Sequence, residues 1–597
     1  MTGNTLWRPS AEGEIVAAGE RSRRWRHFWR LVSAFWVSNQ AKIAWPMFAV
    51  LIGIQYASVS SFVWMANWEK ALFDSLEARR VAALGPLVIQ FIGISLATVG
   101  FGIVQAYLGG MLKMRWRSWL TADYMERWLR HDSYLDIERT GVVDNPDQRV
   151  AEDIDIFTSE ALEMVLSVIS VVMSVITFGA ILLQASQPIV FALAGYQFSI
   201  PGDLVIYGIL YAVAGSWFIT FVGKHLVRWT IEQQHLAANF RFRLINIRRN
   251  AEQIAFARTI ASEWRKLRLD FARIFTNYRG LLIRQQYVTS VGGLYGSVGG
   301  ILPVFLLMPK YFSGQMTLGT VMQNRTAFGQ FNSALSYFVQ AYTTIATLVA
   351  VIARIHDLDW AIASPTLSGI SVRADPAGGL KATGLRLKTP AGVQLATIGD
   401  WTVRVGERWS IRGPSGVGKS TLLRAVAGIW PYGAGDVSVP ATGHTMFVSQ
   451  RPFLPIGTLK EALCFPGEQS VFTDDECRNA LSMFRLGALI EDLDVEMVWQ
   501  DRLSPGEQQR LAFARVVLQQ PNTLFLDEAT SALDGDNAHH AYQTLLGVFP
   551  ELTLVSVVHD RNLDTYHSRQ LEIVDGAGLT RVLPDVIKLS SNEDNTR

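Results

Sequence analysis

The stretch Gly413-Pro-Ser-Gly-Val-Gly-Lys-Ser-Thr421 decides the fold of the C-terminal part of this 597-residue chain. It fits G-x-x-x-x-G-K-[ST], with Gly413, Gly418, Lys419 and Ser420 at the fixed positions. The run Arg408–Arg412 before it reads as a strand, and Leu422–Gly428 after it as a helix. Glycines in such a strand–loop–helix let the backbone wrap phosphates and aim N–H groups at them, and the helix N-terminus adds positive potential. Pro414, Ser415, Gly416, Val417 and Thr421 complete the candidate nucleotide loop. Lys419 is expected to neutralise β- and γ-phosphate charge, and Ser420 to ligate Mg²⁺. The expected cofactors are therefore ATP and Mg²⁺.

Further along, Thr523-Leu-Phe-Leu-Asp527-Glu528 is an apolar strand ending in two acids. Alone, the acids would read as caps of a following helix. Beside a phosphate loop, Asp527 reads as support for Mg²⁺ and Glu528 as the general base that polarises the attacking water. Leu503-Ser-Pro-Gly-Glu-Gln-Gln-Arg510 resembles the signature motif of ABC transporters, usually written LSGGQ. Gln450 resembles that family's Q-loop glutamine, a catalytic and metal-contacting position. Ser531-Ala-Leu-Asp534 resembles its D-loop. His559, after a strand at Thr553–Val558, resembles its switch histidine. Taken singly, a His or a Gln is more often structural; five elements in the family's order make the resemblance specific.

The resemblance implies an α/β P-loop ATPase domain that pairs head to tail with another. ATP would lie between one phosphate loop and the partner's Ser504, Gly506 and Glu507, with Asp534 nearby. One chain carries one copy of each motif, so the implied partner is a second copy in a homodimer. Two departures stand out. Pro505 and Glu507 replace the usual Gly and Gln, and proline has no N–H to offer phosphate. The aromatic that usually stacks on adenine is not evident near Leu387–Pro390. Trp401 and Trp409 are substitutes for it, or core residues.

N-terminal to this region the composition changes character. Apolar residues make up 49% of the chain and charged residues 18%, and mean hydropathy is +0.19. That balance points to membrane and away from a soluble P-loop enzyme. A net charge of +2 gives no electrostatic argument for nucleic acid. Cys464 and Cys477 are the only cysteines, read as unpaired thiols without metal-ligand spacing. Six apolar stretches are expected to cross a bilayer: Trp45–Met65, Leu87–Leu112, Ala161–Leu183, Leu204–Val222, Tyr287–Met308 and Leu318–Ile352. The fold class is thus an all-α six-helix transmembrane domain followed by the ATPase domain.

Basic residues orient the spans. Arg21, Arg23, Arg24, Arg26 and Arg30 precede the first, Lys113 to Arg130 follow the second, and Lys224 to Arg268 follow the fourth. Both termini and the ATPase domain are therefore expected on the cytoplasmic side. The leader reads as an amphipathic interfacial helix, with Trp25, Phe28, Trp29, Phe35 and Trp36, and not as a cleavable signal peptide. The charged connections 113–160 and 224–285 read as helices continuing past the bilayer. Asn324, Arg325, Gln330, Asn332 and Gln340 in the sixth stretch read as lining a substrate path, bonding between helices, or lying at the membrane surface. In Asp144–Asp153, Asn-Pro starts a turn; the acids either cap a helix or help position the loop against the ATPase domain, with Arg149 paired to Glu152 or Asp153.

The expected domains are a leader 1–43, a transmembrane domain 44–360, a linker 361–379, a nucleotide-binding domain 380–589 and a disordered tail 590–597. The signature, Leu511-Ala-Phe-Ala-Arg515, Arg451–Leu459, Trp116–Trp128, Asp144–Asp153, Phe240–Arg243 and Ala251–Phe256 resemble peroxisomal fatty-acyl half-transporters and their bacterial relatives. They are most similar to SbmA/BacA-like peptide-uptake transporters in the branch that keeps its own ATPase domain. This implies ATP-driven import of peptides, some antimicrobial, or of cobalamin and other bulky hydrophilic solutes, across a bacterial inner membrane. The alternatives are fatty-acyl or acyl-CoA transport, and a proton-coupled transporter whose ATPase domain only regulates. The partners expected are lipid bilayer, the transported solute and a second copy of the chain.

Overall fold

The computed structural model describes residues 28–582, apart from 187–188, 194–195, 201, 224–225, 338–340, 365–367, 376–378, 441–443 and 575–576. The leader arginines 21–26, Trp25, Lys224, Gln340 and the tail 590–597 lie outside the described residues. The chain divides into two compact units, Met1–Pro365 and Thr366–Arg597.

The first unit is built from long helices. After α1 (Phe28–Val37) come α2 (Ala41–Glu77), α3 (Leu84–Leu129), α4 (Ser133–Thr140), α5 (Ile154–Ala185), α6 (Asp203–Gly223), α7 (Leu226–Arg249), α8 (Ala251–Phe256), α9 (Ile260–Phe312), α10 (Leu318–Leu335) and α11 (Tyr342–Ala363). At 1.5 Å per residue, the 53 residues of α9 extend about 80 Å, far beyond a hydrocarbon core of about 30 Å. Among the described residues both long connections are thus mostly helical, as their composition predicts, with breaks at 141–145 and 257–259. Among the described residues, five helical stretches are long and apolar enough to cross a membrane. The expected sixth, Leu318–Ile352, falls on two helices, α10 and α11, and is more polar. On α3, Ile89, Leu96, Ile103 and Tyr107 are all about two-thirds exposed or more. Such a stripe needs lipid or another protein surface against it.

Polar ties between distant segments set the packing. Thr317 caps α10 by accepting the Thr320 N–H. Asp74 and Glu77, at the end of α2, accept the N–H groups of Gly319 and Leu318, placing negative charge at the positive end of the helix. Arg325 pairs with Glu69 at 2.9 Å, and Asn332 accepts from Tyr295. These two therefore bond between helices, whereas Gln330 faces a cavity. At the other end, Arg354 of α11 forks onto the buried Asp153 at 2.6 and 2.7 Å. Arg149 does not pair with Glu152 or Asp153. It donates to the carbonyls of Asp144 and Arg354, because Arg354 already saturates Asp153 and Glu152 accepts from Gln148. A two-stranded antiparallel hairpin, β1 (Ile189–Leu193) with β2 (Tyr196–Ile200), joins α5 to α6.

The second unit carries an eleven-stranded sheet among the described residues: β3 (Ile370–Asp375), β4 (Leu380–Lys388), β5 (Gln394–Ile398), β6 (Trp401–Val403), β7 (Arg408–Arg412), β8 (Gly433–Pro440), β9 (Thr445–Val448), β10 (Thr523–Asp527), β11 (Thr553–Val557), β12 (Arg569–Val574) and β13 (Ala577–Val582). The strand order is β3-β8-β4-β5-β13-β12-β7-β11-β10-β9, with β6 on β4. The run β12-β7-β11-β10-β9 is parallel. Its strands, such as Leu554, Val555 and Val557 of β11, are buried on both faces, as apolar parallel strands are. The helices are α12 (Lys419–Val426), α13 (Leu459–Cys464), α14 (Asp474–Met483), α15 (Pro505–Gln519) and α16 (Gly535–Val548). Cys464 and Cys477, on α13 and α14, are free and buried, with their sulfurs 3.7 Å apart.

Candidate ATP site

The parallel register places the carboxyl ends of β7, β11 and β10 side by side: Val557 lies opposite Ile411 on one side and Asp527 on the other. Ligands of open α/β sheets bind at this edge. From it emerge the loop Gly413–Gly418, Glu528 and His559. Gly413, Gly416 and Gly418 take φ of +149°, +80° and +105°, values that side chains resist. A Cβ on Gly413 would stand 2.5 Å from the Ile573 carbonyl. Lys419 is 5% exposed, and its ammonium donates to the Gly413 and Pro414 carbonyls at 2.9 Å each. The loop thus holds its own cation at the mouth of α12.

Ser420 donates to Asp527 at 2.8 Å. Burial holds the Asp527 carboxyl above the usual carboxylate range; the Ser420 hydrogen bond opposes this and neighbouring Glu528 reinforces it. A hydroxyl and a carboxylate are hard oxygen donors suited to Mg²⁺, which takes few protein ligands and completes its shell with phosphates and water. Glu528 has φ of +51°, a strained backbone of the kind that persists where the surroundings impose it. His559 Nε2 meets one of its carboxylate oxygens at 2.7 Å and Gln450 donates to the other at 3.1 Å. Gln450, Ser420, Lys419, Asp527, Glu528 and His559 are therefore gathered around one loop.

Ser504, Gly506 and Glu507 form a separate group at the start of α15. Ser504 caps that helix, accepting from the Glu507 N–H, while the Glu507 carboxylate accepts from the Ser504 N–H and hydroxyl. Those bonds hold the Glu507 carboxyl below its usual range. Pro505 sits at the first helical position, where a missing N–H costs nothing. Asp534 caps α16 through the Asn537 N–H. Trp401 and Trp409 are 1% and 3% exposed. Both are core residues and neither is placed to stack on adenine.

One residue escapes sequence reasoning. Gln509, buried on α15, donates to the Gln450 carbonyl at 3.0 Å and to Ser531 at 3.1 Å, and accepts from the Ala532 N–H at 2.9 Å. It links three of the motif segments. The available signal was a glutamine three and four positions before the buried Ala512 and Phe513, on the same face of the helix.

Two family models match the chain: ABC transporter transmembrane region 2 over residues 32–312 and ABC transporter over 398–531. The chain is 30% identical over 535 residues to the inner membrane ABC transporter ATP-binding protein YddA of Escherichia coli (strain K12), covering 89% of this chain and 94% of that one. The chain belongs to the ABC transporter family. It is a half-transporter, with one membrane domain and one ATPase domain fused, and it hydrolyses ATP as a transport ATPase. The human lysosomal cobalamin transporter ABCD4 is 26% identical, over 78% of this chain and 81% of that one. The fold is similar to that of a bacterial Atm1-family ABC exporter solved with ATP bound, with a TM-score of 0.72, 15% identity, and coverage of 91% and 95% of the two chains. A half-transporter of this fold works as a dimer in a lipid bilayer.

Proposed function

We propose that this half-transporter is a homodimer that imports peptides, including antimicrobial peptides, or cobalamin and other bulky hydrophilic solutes, across a bacterial inner membrane. Both termini and the ATPase domain lie on the cytoplasmic side, with domain limits at 1–43, 44–360, 361–379, 380–589 and 590–597. The observation that carries ATP coupling is the carboxylate of Glu528, held between His559 and Gln450 beside the Ser420–Asp527 pair. Glu528 orients and deprotonates the attacking water, and His559 and Gln450 hold the carboxylate in position. Lys419 leaves its loop carbonyls for the β- and γ-phosphates. Ser420 and Asp527, with Gln450 nearby, would hold Mg²⁺, which would supply charge neutralisation of the phosphates. The family pattern supports completion of each site by Ser504 and Gly506 of the second copy. The hydrophilic cargo rests on the resemblance of the loops and on a relative named as a cobalamin transporter.

The test is uptake of a labelled peptide and of labelled cobalamin by bacterial cells with and without this protein. Uptake of at least one only when the protein is present supports import. Equal uptake in both strains, with energy-dependent loss of preloaded solute from the expressing cells, would reverse the direction.

A further inference from the structure

In the membrane unit, α2, α3, α5 and α10 line an open cavity of about 530 Å³, within the range of small-molecule sites. The apolar stretch containing α5 has the highest mean hydropathy of the five, 2.5 over its best window. Yet one face of that helix is polar. Ser159, Glu163, Ser167, Ser170 and Ser174 recur every three or four residues, a single stripe along the helix, and all line the cavity. The other three helices each contribute an amide: Gln55, Gln105 and Gln330. Gln105 donates to Gln55 at 2.9 Å. Beside Gln105 the wall is bare backbone, since a Cβ on Gly109 or Gly110 would meet no atom within 4 Å. Lys113 and Glu163 line the same cavity, and no ion pair joins them among the described residues.

A hydroxyl or amide left without a partner in an apolar setting costs about 1–3 kcal/mol. Ser159 donates to the Asp155 carbonyl at 2.6 Å and Gln105 to Gln55; the hydroxyls of Ser167, Ser170 and Ser174 and the Gln330 amide are left for water or a polar occupant to pair with. An acyl chain would leave them unpaired. We propose that this cavity binds the transported solute, and that the solute is hydrophilic, rich in amide or hydroxyl groups and zwitterionic, as a short peptide is. The serines and glutamines pair with its amides, while Glu163 and Lys113 meet its ammonium and carboxylate. The inference rests on the transport reading above and names its cargo class and site.

The test uses the full chain in nanodiscs with Ser170→Cys, a polar maleimide as probe, and an equimolar library of hydrophilic tri- and tetrapeptides as ligand. Both native cysteines are fully buried, so their background is low. Val172→Cys, on the exposed apolar face of the same helix, is the control. Ser170→Cys is expected to react and Val172→Cys not to. Peptide at ten times its dissociation constant should slow the reaction about tenfold, while palmitoyl-CoA should not. An unreactive Ser170→Cys, as when a partner helix fills the space, overturns the proposal. So does protection by palmitoyl-CoA, or its absence with peptide. A second variant, Ser167→Val/Ser170→Val/Ser174→Val, is expected to keep basal ATP hydrolysis and lose its stimulation by the peptides. If peptides are moved in an ATP-dependent way but this variant moves them normally, the cavity assignment fails and the transport reading stands. If the native chain moves no solute with ATP, it is the transport reading that fails.

Discussion

Glu528 is where the chemistry of the chain is concentrated, and its neighbours define what a substitution there does. Glu528→Gln keeps the side-chain volume and the contact with Gln450 but removes the base. Steady-state ATP hydrolysis should fall at least about a hundredfold, the usual worth of a general base, while nucleotide binding by fluorescence titration stays near wild type. A second residue reports on pH. His567 is 1% exposed, and burial pushes its imidazole down to about 4 from an ordinary 6.5, against a hydrogen bond with the Leu563 carbonyl. As pH falls below 6.5 the unfolded chain takes up a proton that the native chain refuses until about 4. Stability present above 6.5 is thus lost across that window, by up to about 3 kcal/mol. Unfolding midpoints of the wild type should drop more steeply between pH 6.5 and 4 than those of His567→Gln; parallel slopes would contradict the assignment.

At the scale of elements, two joints merit direct tests. Gln509 ties α15 to the Gln450 loop and to the segment Ser531–Ala532. Gln509→Ala should lower kcat about tenfold or more with little change in ATP affinity, because it loosens positioning and leaves the phosphate loop alone; a change in KM alone would contradict this. Arg354 neutralises Asp153, whose side chain is 4% exposed. Arg354→Met strands a buried carboxylate and should destabilise the membrane unit by about 3 kcal/mol, read as a lower unfolding midpoint in detergent. These joints also show what was legible in advance. The phosphate loop, the strand ends at Asp527 and His559 and the long helices could be read because chemistry or bilayer thickness dictates both residue type and spacing. The partners of Arg149 and Gln509 could not, since they come from chain segments up to 205 residues away. The sixth stretch reads from Leu318, where α10 does begin, but the carboxylates about 245 positions earlier that cap it could not be read. The hairpin β1–β2 did leave a signal: two β-branched and aromatic runs separated by Ala194-Gly195.

For the whole molecule, the single set of motifs predicts that neither half of an ATP site suffices. Lys419→Ala should remove the phosphate cation of a chain's own site, and Gly506→Asp should put negative charge where the partner's γ-phosphate would lie. Each variant alone should be inactive. A mixed pair, purified through two different tags, contains one intact site and should recover about half the wild-type ATPase rate; no recovery would contradict shared sites. Hydrolysis at these shared sites should drive solute across the membrane. This coupling is tested most directly in proteoliposomes by following labelled peptide movement and ATP hydrolysis together, in wild type and Glu528→Gln. Both should be lost together in the variant while ATP still binds. Peptide movement at the wild-type rate in Glu528→Gln vesicles would contradict it.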